Sequence, residues 1–231
     1  MIGSQLRAKW LAGEFHAIVS ISVPHHAIDL GRLPLSIEEQ HRVRRFRQVM
    51  DCNRSAMGWF VLRSVVAAML NLGPEDVNVI RAWAGKPSVH RGPGISISHT
   101  GDLAVVAFSS ELNIGVDIER IPQDTALSPI IMNTLSPLEL MYLPRNRATE
   151  SEYLLRAWTR KEAVAKVFGS GLTIDLTRLS VADQRGRRFR CHVADQKLVT
   201  GIDLVIGSGY VGALASKASI NDVTRFHVGR L

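Results

Sequence analysis

Two carboxylates at the end of an apolar segment are the first residues whose spacing could do chemistry. Asp117 and Glu119 lie in "GVDIER", directly after the largely apolar stretch "DLAVVAFSSELNI". On a strand, residues two apart point to the same face, where two carboxylates repel unless a proton or a cation lies between them. Mg²⁺ commonly takes one or two protein carboxylates together with substrate phosphates. The pair therefore indicates either a metal site or a solvated strand end with Arg120 as partner.

A predicted helix near residue 160 carries a second set of charged residues. Trp158, Glu162 and Lys166 are each four residues apart in "SEYLLRAWTRKEAVAKVFG", so they follow one another along one side of the helix. Taken alone, Glu162 and Lys166 are typical of a surface ion pair worth about 0.3–0.5 kcal/mol. Lys161 falls on the apolar face, where it either extends to the surface or reaches a partner at the rim.

Three further motifs contain residue types that suit an anion. In "SHTG", Ser98, His99 and Thr100 lie where a strand meets a turn, and they either donate to an anion or only form the turn. In "GKP", Lys86 is held between a glycine and a proline, which suits phosphate contact, although the Walker A pattern is absent. The basic run "HRVRRFR" and Arg54 form either a solvated helix face or a surface that attracts phosphates.

The elements that must position these residues form two successive sets. A strand within residues 14–23 precedes a helical stretch that begins at Ser36, where Glu39 completes a capping box. Apolar spacing from Phe60 to Met69 predicts a second helical segment, which ends at Asn71–Pro74. Strands around the GKP and SHTG motifs follow, and "GVDIER" closes that hairpin region. Further on, Ser136 caps a short helix, the helix of residues 151–169 ends at a glycine, and "RLSVAD", "FRCHVAD" and "YVGALAS" are strand candidates.

The order of these elements predicts an α+β fold. We expect a pseudo-two-fold arrangement of two similar lobes, residues 1–113 and 114–231, each with an antiparallel sheet packed on a long helix. The chain has 231 residues, of which 46% are hydrophobic, so both lobes can have a core. No signal peptide and no apolar run of about 20 residues is evident, which predicts a cytoplasmic protein.

The order of the motifs is more specific than any one of them. GKP, SHT, G-V-D-I-E and W-x-x-K-E-A-x-x-K-x-x-G-x-G-L follow one another between residues 85 and 172. This set resembles the 4'-phosphopantetheinyl transferases, specifically the larger two-lobed class of the surfactin-synthetase-activating type, which serves polyketide and nonribosomal peptide synthases. Through "RRFRQVMDCNRS" the resemblance extends upstream, so that it covers most of residues 36–172.

The resemblance implies an enzyme, a holo-[carrier protein] synthase. Such enzymes transfer the 4'-phosphopantetheine of coenzyme A to a serine of an apo acyl or peptidyl carrier protein, depend on Mg²⁺ and release 3',5'-ADP. It also implies a monomer that binds coenzyme A and the carrier. Neither nucleic acid nor a membrane is expected as a partner. The first lobe would then bind the nucleotide, and the second would hold the metal site and contact the carrier, with residues 121–135 and the segment after Gly171 as candidate contacts.

The same resemblance assigns roles to individual residues. Asp117, Glu119 and Glu162 are expected to bind Mg²⁺, and Glu162, Lys166 and His99 to be catalytic, with Glu162 as the candidate base. The residues expected to bind coenzyme A are Arg42, Arg54, Lys86, Pro87, Ser98, His99, Thr100, Asp117 and Lys166.

The chain departs from the family pattern at two positions. Ser96 stands where relatives often have Asn, and Glu39 stands where some relatives carry a basic residue on the nucleotide-facing helix. The second departure leaves Arg42 as the predicted 3'-phosphate contact of that helix.

Two alternatives to the transferase come from other function classes. A Mg²⁺-dependent nucleotide pyrophosphohydrolase would use the same carboxylates with water as nucleophile. A non-enzymatic nucleic-acid binder is suggested by the net charge of +7. RNP, KH and zinc-finger patterns are absent, and only 6% of residues are aromatic, which is few for base stacking.

Overall fold

The chain forms two compact units. The computed structural model describes residues 2–13, 15–81, 85–122, 129–169, 174–181, 186–193 and 197–229. The first unit combines Met1–Leu112 with Asp222–Leu231, and the second is Asn113–Asn221. The C-terminal residues, which the sequence assigned to the second lobe, therefore lie in the first unit.

The first unit is built on a four-stranded sheet with the strand order β10-β1-β5-β4. These strands are β1 (His16–Ser22), β4 (Gly94–Thr100), β5 (Leu103–Ser109) and β10 (Thr224–Val228). β1 pairs with β5 in antiparallel fashion but runs parallel to β10. The predicted α+β fold with antiparallel sheets is confirmed, and β1–β10 is the one parallel pair among the described strands of this sheet. Parallel pairing is possible there because β10 follows the whole of the second unit in the chain, and parallel strands need a long connection.

Three helices and a small hairpin complete the first unit. The helices are α1 (Ile2–Leu11), α2 (Ile37–Arg44) and α3 (Val49–Leu70), and the hairpin strands are β2 (Val79–Arg81) and β3 (Pro87–Val89). The capping box of Ser36 and Glu39 is confirmed. The helical stretch from Ser36 and the second helical segment predicted after it correspond to α2 and α3, and α3 ends where Asn71 adopts a left-handed conformation with φ 59°.

Glu39 and Arg63 form a buried ion pair between α2 and α3. The Nε of Arg63 donates to Oε2 of Glu39 at 2.7 Å, and its Nη2 donates to Oε1 at 3.1 Å. The Nη1 of Arg63 donates to the carbonyl of Pro74 at 2.8 Å, and Glu39 also accepts a bond from the backbone of Ser36. Glu39 thus joins two helices inside the unit, which explains how an acid can occupy a position that is basic in some relatives.

We expect Glu39→Ala to destabilise the protein strongly. The substitution leaves the Arg63 guanidinium buried without its counter-charge, which costs about 3–5 kcal/mol. The neighbouring Glu38→Ala is the matched control, because Glu38 is exposed and solvent screens its pair with Arg42. Thermal unfolding followed by circular dichroism measures both. Equal melting temperatures for the two variants would contradict the assignment.

The second unit is built on an antiparallel sheet with the order β6-β9-β8-β7. Its strands are β6 (Ile114–Arg120), β7 (Arg188–Val193), β8 (Lys197–Asp203) and β9 (Tyr210–Ser216). Its helices are α4 (Pro129–Met132), α5 (Pro137–Met141) and α6 (Arg147–Phe168), of which α6 packs on β6 and β9.

The strand predictions for this unit were partly right. "FRCHVAD" and "YVGALAS" correspond to β7 and β9, and the helix cap at Ser136 is confirmed, where Glu139 also completes a capping box. "RLSVAD" is wrong in its described part, because Leu176–Arg178 is a 3₁₀ turn and no strand follows it as far as residue 181. "GVDIER" does not belong to the preceding hairpin, since β6 pairs with β9 in the other unit. Among the described residues, no helix is long and apolar enough to cross a bilayer.

Candidate active site

Gly115 lets α6 lie directly against β6. A Cβ atom at this position would be only 2.0 Å from the carbonyl oxygen of Ala163 and 2.9 Å from Cβ of Lys166. Any larger residue would therefore push the helix away. Since residues two apart on a strand share a face, Asp117 and Glu119 point to the same side as Gly115, toward α6. The glycine of the G-V-D-I-E motif thus brings the helix to the acids.

Lys166 contacts β6 directly. Its Nζ lies 2.8 Å from Oδ1 of Asp117 and donates to the carbonyl of Val116 at 3.0 Å. Asp117 is only 6% exposed. Asp117 is therefore not a solvated strand end, and it forms an ion pair with a lysine from the facing helix.

Glu162 lies one helical turn before Lys166 and completes a group of three carboxylates. Its Oε1 atom is buried and has no hydrogen-bond partner among the described residues. Burial raises the pKa of Glu162, and the negative charges of Asp117 and Glu119 raise it further, while Lys166 lowers it. Glu162 thus lies within electrostatic range of both strand acids, and one lysine offsets only part of their charge.

These side chains fit a divalent cation by chemistry. Within the described residues, no group of three or more His, Cys, Asp or Glu side chains is already arranged as a metal site. However, hard carboxylate oxygens are the donors that Mg²⁺ prefers, and Glu162 has a buried oxygen without a donor. A cation would also relieve the repulsion that raises the pKa of Glu162.

Behind this group, Lys161 fixes the rotation of α6. Lys161 and Glu139 are both fully buried, with 2.6 Å between Nζ and Oε2. Lys161 also donates to the carbonyls of Thr134 and Leu176, at 2.6 and 2.9 Å. Burial lowers the pKa of Lys161, and the bond to Glu139 opposes this shift. Lys161 therefore reaches a partner inside the unit, and its neighbour Glu162 is held on the side of α6 that faces β6.

We expect Glu162→Gln to stabilise the metal-free protein near neutral pH. The pKa of Glu162 is raised above 4.5, so the folded state binds more protons than the unfolded state between 4.5 and the raised value. Stability is therefore lost as pH rises through that window, and the neutral amide avoids the loss. The melting temperature should rise by about 2–4 °C for each kcal/mol of destabilisation that the substitution removes.

The gain should shrink as the pH falls toward 4.5, where wild-type Glu162 is itself protonated. Glu152→Gln is the matched control, because Glu152 is half-exposed on the same helix and paired with Arg156 at 2.5 Å. A Glu162→Gln protein that melts below the wild type at about pH 8 in a chelator would refute the electrostatic account.

In the first unit, Arg54 joins α3 to the SHTG turn. Its Nη1 donates to the carbonyl of Gly101 at 2.8 Å, and its Nη2 is paired with Asp51. Gly101 follows Thr100 directly and has a φ of 54°. Ser98 is buried at the end of β4, whereas His99 and Thr100 are partly exposed. The predicted residues Arg54, Ser98, His99 and Thr100 therefore lie at one end of β4.

The GKP motif forms the end of the β2–β3 hairpin. Gly85 has a φ of 87°, a conformation that favours glycine, and Pro87 begins β3. Arg81 lies opposite Pro87 and binds the Gly85 carbonyl. Arg42 lies on α2, with its Nη2 2.7 Å from Oε1 of Glu38.

The predicted site residues thus fall into two sets, one within each unit. The first unit holds His99 and the residues that were predicted to contact coenzyme A but not to bind the metal or take part in catalysis. The second unit holds Asp117, Glu119, Glu162 and Lys166. Sequence reasoning did not single out Arg81 as the residue that holds the Gly85 carbonyl, since a single arginine in a short strand carries no motif. Gly171 and Leu172 of the last motif, and residues 123–128 of the candidate carrier contact, lie outside the described residues.

Comparisons with known proteins match both units. A family model described as the 4'-phosphopantetheinyl transferase superfamily matches residues 113–215, and one described as 4'-phosphopantetheinyl transferase, N-terminal, matches residues 25–111. The chain is 30% identical to the 4'-phosphopantetheinyl transferase psf-1 of Bacillus pumilus over 167 residues, which is 69% of this chain and 70% of that protein. The chain belongs to the 4'-phosphopantetheinyl transferase superfamily.

Two other members extend this likeness. The 4'-phosphopantetheinyl transferase Sfp of Bacillus subtilis (strain 168) is 29% identical over 150 residues, covering 64% of this chain and 66% of Sfp. The human L-aminoadipate-semialdehyde dehydrogenase-phosphopantetheinyl transferase is 29% identical over 156 residues, covering 62% of this chain and 50% of its own length. The enzyme class of the chain is therefore that of a phosphopantetheinyl transferase, and its carboxylate group lies inside the matched region.

Proposed function

We propose that this transferase moves the 4'-phosphopantetheine of coenzyme A to a serine of an apo acyl or peptidyl carrier protein, in a Mg²⁺-dependent reaction that releases 3',5'-ADP. The observation that carries the proposal is the contact of Lys166 with Asp117, one helical turn from Glu162, whose buried Oε1 has no hydrogen-bond partner among the described residues; all three residues stand at the family's motif positions. This group combines acids that suit a cation with a lysine that suits a phosphate.

Phosphoryl transfer of this kind depends mainly on positioning and charge neutralisation. The serine oxygen forms a bond to the phosphorus that carries pantetheine, while the bond from that phosphorus to the bridging oxygen breaks and 3',5'-ADP leaves. A bound Mg²⁺ would neutralise pyrophosphate charge. Lys166, already anchored beside Asp117, is proposed to bind a pyrophosphate oxygen, and His99 is proposed to act likewise. The proton of the serine hydroxyl is proposed to pass to Glu162, the candidate base.

The remaining assignments rest on the family resemblance. Arg42, Arg54, Lys86 and Pro87 are proposed to bind the nucleotide end of coenzyme A, and Ser98 and Thr100 to contact its phosphates. The net charge of +7 supports both an anionic cofactor and an acidic carrier. The monomeric state, the cytoplasmic location and the carrier class (fatty-acid, polyketide or nonribosomal peptide) stay predictions.

The decisive assay mixes the protein with coenzyme A, Mg²⁺ and a panel of apo carriers, followed by mass spectrometry of each carrier. We expect at least one carrier to gain a phosphopantetheine arm, with 3',5'-ADP as the second product. Absence of the arm from every carrier would refute the transferase. Release of phosphopantetheine without any carrier would instead support the pyrophosphohydrolase.

We expect Glu119→Gln to lower the Mg²⁺-dependent rate by about 10²–10³-fold, because it removes one of three charged oxygen donors. Calorimetry with Mn²⁺ should show weaker cation binding in the same variant. Glu152→Gln on the exposed side of α6 is the control and should behave as wild type in both measurements. Unchanged cation binding by Glu119→Gln would remove Glu119 from the metal site.

We expect Lys166→Ala to raise the KM for coenzyme A about 10–100-fold, the range given by the loss of one charged hydrogen bond. Lys166→Arg keeps the charge and should recover part of the affinity. Initial rates against coenzyme A concentration measure the effect, and the melting temperature tests whether the bond to Asp117 was needed for folding. An unchanged KM in a folded variant would argue against the phosphate role.

A further inference from the structure

A pocket in the second unit lies beside the N-terminal half of α6, away from the carboxylate group. Its volume is about 420 Å³, which is within the roughly 300–1,000 Å³ that small-molecule sites occupy. Since each helical residue turns the chain by about 100°, Tyr153 and Arg160 lie about 160–180° round α6 from Glu162. The residues that line the pocket all belong to the second unit, and the pocket is separate from the proposed metal site.

The walls of the pocket suit a flat ring. They combine aliphatic surface with two aromatic rings, from Pro144, Ala157, Val181, Tyr142 and Tyr153. The Tyr153 hydroxyl donates to the carbonyl of Glu139 at 2.8 Å, which fixes its position. Burial and the charge of Glu139 raise the pKa of Tyr153 to about 12, so this phenol is neutral near pH 7. Aromatic rings in contact gain free energy beyond that of burial, so a planar ligand is favoured.

The acids at or near the pocket are already paired inside the unit. Both oxygens of Asp203 accept from Arg160, whose Nε and Nη2 lie 2.7 Å from Oδ1 and Oδ2. Glu139 is paired with the buried Lys161. Neither acid therefore opposes a bound anion with an uncompensated charge.

Arg156 is the arginine of the pocket whose donors are open to a ligand. Its side chain is 40% exposed, and its Nη2 donates to Oε1 of Glu152 at 2.5 Å. Its Nη1 lies 3.4 Å from Oδ2 of Asp203, which Arg160 already binds. A guanidinium has five N–H donors, and among the described residues Arg156 makes only the hydrogen bond to Glu152. Because Glu152 is half-exposed, this pair is weak, and a ligand can take its place.

We propose that this pocket binds a small aromatic carboxylate, with the carboxylate on Arg156 and the ring against Tyr142 and Tyr153. A planar guanidinium fork matches a carboxylate, and such charged hydrogen bonds are about twice as strong as neutral ones. Arg156 and Arg160 together disfavour a cationic ligand, whereas the neutral Tyr153 does not repel an anion. The inference goes beyond the transfer reaction, since none of these residues has a proposed role in it.

The test compares quinoline-3-carboxylate with its neutral amide in ligand-observed NMR titrations. We expect the wild type to bind the acid with a Kd of about 1 mM or below, and at least about 10-fold more tightly than the amide. Arg156→Gln should weaken the acid at least about 10-fold and the amide less than about threefold. Arg178→Gln is the matched control, because Arg178 is exposed in the same unit, paired with Asp175 at 3.4 Å, and changes the net charge equally.

A second variant tests the ring contact. Tyr142 is 43% exposed, so Tyr142→Ala should fold, and it should weaken the acid and the amide by the same factor of about 2–10. Melting temperatures check that each variant is folded. Equal affinities of the wild type for acid and amide would overturn the proposal, as would unchanged binding of the acid by folded Arg156→Gln. Displacement of the acid by coenzyme A would also overturn it, since the pocket is on the other side of α6 from Glu162.

Discussion

The close contact between α6 and β6 at Gly115 is the constraint on which the second unit's site depends. With a carbonyl oxygen 2.0 Å from where a Cβ would lie, the backbones are as close as a glycine allows. Only at this separation can Lys166 bind Asp117 and the Val116 carbonyl together. The same contact brings Glu162 near two other acids, which is unfavourable without a counter-charge. The fold therefore places carboxylates where they destabilise the free protein and are suited to a cation.

A buried ion pair makes that arrangement rigid. Lys161 and Glu139 would be costly to bury alone, but each has further partners. Glu139 accepts bonds from the backbone of Ser136 and Val181, and Lys161 donates to two carbonyls. One pair thus ties α5, α6 and the segment after the 3₁₀ turn together. Because Lys161 and Glu162 are neighbours, fixing the first inside the unit fixes the second toward β6.

The sequence predicts features that depend on neighbouring residues, but it does not predict strands and ion pairs that join distant parts of the chain. The helix caps at Ser36 and Ser136 and the family motifs could be recognised from a few adjacent residues. β8 was missed because its pattern contains Gly201, which is needed where a Cβ would lie 2.0 Å from the ring of Phe189. β10 was missed because its parallel pairing with β1 depends on the return of the chain to the first unit. The anomalous Lys161 was recognised, but its partner lies 22 residues away on another helix.

Glu39 and Arg81 show how the first unit fixes long charged side chains. The carboxylate of Glu39 is bound through both oxygens by Arg63, so it joins α2 to α3. α2 therefore presents Arg42 without a second cationic residue at position 39. On the β2–β3 hairpin, Arg81 donates twice to the Gly85 carbonyl and so holds the peptide immediately before Lys86. Because a rigid loop loses less entropy on binding than a mobile one, this contact supports Lys86 as the proposed phosphate contact of the hairpin.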